Sequence, residues 1–151
     1  MSEQRRAMND DALREQLERH EGLRLSTYKD TRGKLTIGFG RNIEDKGISI
    51  DEARLMLKND IAEHCTLLDK YCPWWRNMDD VRQQVLANMA FNMGVGPSEE
   101  QPTGKLLTFK NTLKNMETGH YDAAADGMLK SVWAQQVGKR AKELADMMRT
   151  E

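Results

Sequence analysis

Between Gly22 and Gly40 this chain cannot run as a helix. Gly33, Gly38 and Gly40 interrupt any 3.6-residue repeat, and Asp30-Thr31-Arg32-Gly33 is a strong turn signal. On either side, Thr27-Tyr28 and Leu35-Thr36-Ile37 are β-branched and aromatic, so the segment from Leu25 to Gly40 predicts a β-hairpin. Upstream, Asn9-Asp10-Asp11 opens a helix with acidic groups at the positive end of its dipole; Leu13 and Leu17 share a face, and Gly22 stops it. A second short turn is expected at Glu44-Asp45-Lys46-Gly47.

The rest reads as helices. Ser49-Ile50-Asp51-Glu52 has the form of a capping box opening a long helix with Leu57, Ile61, Cys65 and Leu68 as its core stripe, ended by Pro73. Asp79 or Asp80 starts another, with Val81, Val85 and Met89 on one face, stopped at Gly94 to Pro97. Ser98 to Gly104 is a polar loop. Leu106, Phe109, Leu113 and Met116 form a further stripe ended by Gly119, and Tyr121–Leu129 and Lys139–Met148 are helical as well. The fold class is therefore α+β, a small strand-bearing lobe followed by a helical bundle.

A chain of 151 residues suits one domain over residues 1–151, with the polar residues 1–8 expected to be disordered. A net charge of −1 and the lack of a basic run with interleaved aromatics speak against a nucleic-acid partner. No apolar stretch is long enough for a signal core or a membrane span, so the expected location is the cytoplasm in which the chain is made. Cys65 and Cys72, seven apart on one helical face, read as small apolar side chains and not as a disulfide; His20, His64 and His120 are scattered, and no metal or other cofactor is implied.

The chemistry lies in the first third. Glu21 falls at a helix end beside Leu23 and Leu25, where the dipole and partial burial predict a raised pKa. Asp30, in a solvent-facing turn, should stay ionised, and Thr36 returns on the next strand with a hydroxyl able to hold a water. Two carboxylates in unlike environments suit glycosidic cleavage, which needs a proton donor at the bridging oxygen and a second carboxylate to activate water or attack the sugar. By spacing alone, the commoner reading is a surface Glu, a turn Asp and an ordinary strand Thr.

The run Glu21-Gly22-Leu23-Arg24-Leu25, Tyr28-Lys29-Asp30-Thr31, Gly33 and Thr36-Ile37-Gly38-Phe39-Gly40 closely resembles the phage T4-type lysozymes, which cleave bacterial peptidoglycan. The resemblance extends from about Leu17 to Thr150. It implies a lysozyme-like fold with a cleft between the two lobes, and catalytic roles for Glu21, Asp30 and Thr36. It also implies substrate contacts from Asn42, from Phe91 and Asn92 in the run Asn88–Gly94, from Thr112, and from Trp133. Phe91 and Trp133 have core or packing readings beside these. An arginine at the position of Arg140 pairs with the catalytic Glu in the family; without the family it would belong to a solvated Lys139-Arg140-Lys142 face. Such an arginine would lower the Glu pKa, so its expected part is mainly to orient the carboxyl group.

Three departures stand out. Arg41 replaces a histidine common in relatives, so a buried His ion pair is not expected there; the segment Asn42 to Ser49 is short; and the loop from Pro97 to Gly104 is longer than usual. The resemblance implies a muramidase cutting the β-1,4 bond between N-acetylmuramic acid and N-acetylglucosamine by inverting single displacement. Its expected setting is a phage or prophage endolysin that reaches the wall after a membrane-permeabilising holin acts. A monomer is assumed. The alternatives are a lytic transglycosylase, which needs the Glu without the Asp, and a catalytically silent wall-binding or virion module.

Overall fold

The computed structural model describes residues 7–150. Disorder expected over residues 1–8 falls, for 1–6, outside the described residues; Ala7 and Met8 are exposed chain ahead of the first helix. The chain forms two compact units, one through Arg54 and one from Leu55.

In the first unit, α1 (Asp10–Glu21) starts at Asn9, whose side chain accepts from the Ala12 N–H at 3.0 Å. It stops at Gly22, where φ is 72° and the N–H reaches the Glu18 carbonyl at 3.1 Å. The hairpin pairs β1 (Arg24–Lys29) with β2 (Leu35–Gly38) antiparallel, Tyr28 opposite Thr36. A third strand, β3 (Arg41–Asn42), pairs Thr36 with Asn42 and completes a three-stranded sheet. Two residues are too few to carry an alternating pattern, which is why the hairpin alone was legible. The expected turn at 44–47 is one helical turn, α2 (Ile43–Lys46), capped by the Asn42 side chain and ended at Gly47. The capping box forms as expected at the start of α3 (Ile50–Tyr71): Ser49 N–H donates to Glu52 Oε1 at 2.8 Å and Glu52 N–H to Ser49 Oγ at 3.1 Å.

Glu52 has a second task. Arg41 grips it through both ends, Nη1 to Oε1 at 2.8 Å and Nη2 to Oε2 at 2.7 Å, while Nη1 also donates to the Gly47 carbonyl at 3.2 Å. The Arg41 bond, then the Ser49 N–H, hold the Glu52 carboxyl down at about 2. Where a His pair was not expected, the arginine therefore builds a pair of its own, tying β3 to the start of α3.

The second unit is helical and carries the core. After α3, a three-ten turn at Pro73–Asn77 leads to α4 (Asp80–Met93). A second three-ten turn at Leu106–Thr108 precedes α5 (Lys110–Glu117), α6 (Tyr121–Leu129), α7 (Val132–Val137) and α8 (Lys139–Arg149). Trp75, Leu68, Leu86, Met89, Leu106, Met116, Met128 and Met148 are fully buried. Four of these eight are methionines, whose flexible side chains suit irregular gaps in a core.

The α3 stripe is corrected. Only Leu67 and Leu68 are buried, while Leu57 is 45% and Ile61 47% exposed and Cys65 is intermediate. The spacing was sound, but the core reaches only the C-terminal end of the helix. Cys72 lies beyond that end and is buried, its thiol pushed up to about 11 by desolvation. Val81 is exposed, unlike Val85 and Met89 on the same expected face. The expected helix from Leu106 is broken at Phe109 into a three-ten turn and α5, although Leu106, Leu113 and Met116 do face inward.

Candidate active site

All three expected catalytic residues lie in the first unit. Glu21 is the last residue of α1 and is exposed within that unit, so the expected partial burial is not found. Its carboxylate instead lies against backbone. Gly40 sits at φ +82°, and a Cβ built there would fall 2.9 Å from Glu21 Oε2. Only glycine allows the chain to bend this way and to pass this close to the acid.

Asp30 opens the hairpin turn. Its Oδ1 accepts the N–H of Arg32 at 2.8 Å and of Lys34 at 2.9 Å, an Asx turn that leaves Oδ2 outside the local bonding. The Lys34 N–H, and with it the Arg32 N–H and the nearby positive charges, lowers the Asp30 pKa and keeps the group ionised, as the turn predicts.

Thr36 is 2% exposed, the one buried residue among those described up to Arg54. Its Oγ1 donates to the Lys34 carbonyl at 2.9 Å, which spends its proton and leaves oxygen lone pairs as the only capacity it can offer. Lys34 thus holds both groups through its main chain, with its N–H on Asp30 and its C=O on Thr36. Its ammonium is clamped to α2 by Glu44 and Asp45, each at 3.3 Å. Asn42 is half-buried and spends both ends of its amide on Asp45, Oδ1 on the N–H and Nδ2 on Oδ2, each at 3.1 Å. Capping is the task its geometry shows.

In the second unit Phe91, Asn92, Trp133 and Arg140 occupy two neighbourhoods. Arg140 donates Nε and Nη2 to Asn88 Oδ1 at 3.0 and 2.7 Å. With Phe91, Leu57 and Ile61 it lines a cavity of about 410 Å³. Trp133 is 6% exposed; its Nε1 donates to Asn92 Oδ1 at 2.8 Å and its ring meets Phe109 edge-on at 6.5 Å. It is a packing anchor whose edge borders a second cavity of about 470 Å³, shared with Met93, Lys105 and Gln136. Thr112 is 6% exposed, and its Oγ1 packs against Gly127 of α6, where a Cβ would fall 2.4 Å from that oxygen.

Sequence reasoning missed Asn88, the acceptor that holds Arg140. Its signal was present, since Asn88 and Asn92 are four apart on one helix and both accept from side chains of α7 or α8. It also missed Gln101, whose amide meets His64 of α3.

The family described as Phage lysozyme matches over residues 18–151. Among known proteins, the chain is similar to the pre-baseplate central spike protein Gp5 of Enterobacteria phage T4, with 29% identity over 92% of this chain and 28% of that much longer protein. It is similar to the probable T4-type lysozyme 1 of Dictyostelium discoideum, 25% identical over 92% of this chain and 94% of the relative. It is also similar to an endolysin of Acyrthosiphon pisum secondary endosymbiont phage 1, 30% identical over 82% of this chain and 80% of the relative.

Proposed function

The chain belongs to the phage lysozyme family, and on that premise we propose that it cuts the β-1,4 bond between N-acetylmuramic acid and N-acetylglucosamine in peptidoglycan by inverting single displacement. Glu21 protonates the bridging oxygen. Asp30 and Thr36 hold the attacking water on the opposite face of the ring.

One observation carries this reading. Asp30 Oδ2 and Thr36 Oγ1 are both acceptors, because the Asp30 carboxyl is kept ionised and the Thr36 proton is spent on Lys34. A water donating one proton to each keeps a lone pair free for the anomeric carbon. Inversion also requires Glu21 and Asp30 to stand about 6.5–9.5 Å apart. Asn42, Phe91, Asn92 and the edge of Trp133 are proposed to contact the glycan or its peptide, with Arg140 as a positioning residue for catalysis. A transglycosylase would have no use for this pair of acceptors.

The endolysin relative favours release from the host cytoplasm after a holin opens the membrane. The spike-protein relative favours a second setting, a module carried by a virion. Glu21→Gln tests the chemistry. The variant should keep its helical circular dichroism and lose clearing of permeabilised Gram-negative cells, while wild type releases reducing muramic ends with inverted configuration. Normal clearing by Glu21→Gln sinks the assignment, anhydro-muramic ends mark a transglycosylase, and wild-type binding without clearing marks a silent module.

A further inference from the structure

The long loop between α4 and α5 reaches back to α3 through two consecutive residues. Glu100 accepts from Lys70 Nζ at 2.8 Å and from Tyr71 Oη at 2.7 Å. Gln101 reaches His64, Nε2 to Nε2, at 3.1 Å. The His64 ring in turn leans on Phe91, with centroids 5.7 Å apart at 55°.

The donors and acceptors in this chain of contacts are forced. Gln101 Oε1 must accept the Val95 N–H, which leaves only its NH2 to face His64. His64 Nε2 must then be the acceptor, and His64 Nδ1, 2.7 Å from the Asp60 carbonyl, must carry the proton. A single protonation state satisfies every member: the neutral Nδ1–H imidazole. Adding a proton at Nε2 sets donor against donor, and turning the Gln101 amide to relieve it strips Val95 of its acceptor.

We propose that His64 and Gln101 are a positioning pair for Phe91, in which the loop locks the imidazole and the imidazole buttresses the phenyl ring. This rests on the reading that Phe91 contacts substrate. Acid then loosens substrate binding through a group that takes no part in bond cleavage. Asp60 and Glu63 lie near His64 along α3, Glu99 and Glu100 precede Gln101, with Glu100 engaged by Lys70, and α4 brings the uncharged Phe91, whose cavity Arg140 also lines.

The test joins spectroscopy to kinetics on the full chain. Long-range 1H–15N correlation at pH 8 should show His64 as the Nδ1–H tautomer. On a soluble peptidoglycan oligomer, KM of the wild type should rise about three- to tenfold between pH 8 and 5.5, the span of one lost neutral hydrogen bond. Gln101→Glu should abolish that rise, because one carboxylate oxygen keeps Val95 while the other accepts from the imidazolium. His64→Phe should remove the rise in KM between pH 8 and 5.5 as well. An Nε2–H tautomer in the wild type, or parallel KM profiles for wild type and Gln101→Glu, overturns the proposal. The tautomer reading decides even where a variant fails to fold. An unchanged KM in Phe91→Ala, with the tautomer as expected, overturns it through the substrate role of Phe91 and not through the lock.

Discussion

Gly40→Ala separates the geometry of the acid from the stability of its surroundings. Alanine at φ +82° is strained by about 1–2 kcal/mol, for its Cβ crowds the following carbonyl. The new Cβ would also stand 2.9 Å from Glu21 Oε2. That oxygen ends a flexible side chain, so the clash costs the fold little; the carboxyl swings aside. Gly38→Ala is the control, because Gly38 lies at φ +71° with nothing within 4 Å of its Cβ position. Both variants should lose about 1–2 kcal/mol, a fall in Tm of about 2–8 °C for a chain of this size. Only Gly40→Ala should lose activity. A displacement of about 1 Å at a reacting group costs on the order of 10²-fold in rate. Thermal melts followed by circular dichroism give the first quantity, and initial rates of cell clearing well below Tm give the second. Equal rates for the two variants, or a rate in Gly40→Ala near that of wild type, would refute the claim that this glycine makes room for the acid.

Acid should weaken the fold through Glu52 and Glu100, each held at about 2 in the folded chain against an ordinary 4.5. A depressed folded pKa contributes stability that is complete above about pH 4.5 and is lost as pH falls toward 2, so urea midpoints should drop across that window and Glu52→Gln should flatten the drop. In the interior of α6, Gly127→Ala gains about 1 kcal/mol of helix propensity but drives its methyl into Thr112 Oγ1. The expected net loss is about 1–2 kcal/mol, and adding Thr112→Ala should return most of it in a double-mutant cycle read by thermal melts.

What could be read from the sequence was what forms between residues three or four apart. The Asn9 cap, the Gly22 stop, the Asp30 turn and the reciprocal Ser49–Glu52 box all appear where residue chemistry places them, because each is settled by its own few residues. Depth could not be read in this way. Leu57 and Ile61 have the spacing of core residues yet remain half exposed, and the sequence left Trp133, which is 6% exposed, open between packing anchor and sugar platform. Burial depends on which distant element arrives, and helical periodicity is silent on that. The same limit hid Gln101, whose partner His64 is 37 positions away.

The two kinds of signal have different consequences for the site. The proposed catalytic residues Glu21, Asp30 and Thr36 belong to a unit in which Thr36 is the one buried residue described, whereas the core of Trp75, Met89, Leu106 and their neighbours belongs to the helical unit. Glu21, Asp30 and Thr36 are therefore held by caps, an Asx turn and three short strands, interactions worth about 1 kcal/mol each and open to competition from water and denaturant. The helices are held by apolar burial, which contributes about 25 cal/mol per Å² and yields only when much of the core is exposed together. Regions with few buried apolar contacts open at lower free energy than the global transition. In a urea titration, then, hydrolysis of a soluble peptidoglycan oligomer should fall at a lower concentration than the circular dichroism at 222 nm, with near-ultraviolet signal from the buried Trp75 following the helices. Coincident midpoints for activity and both spectroscopic signals would mean a single cooperative unit, and would contradict an active site stabilised by its own local bonds.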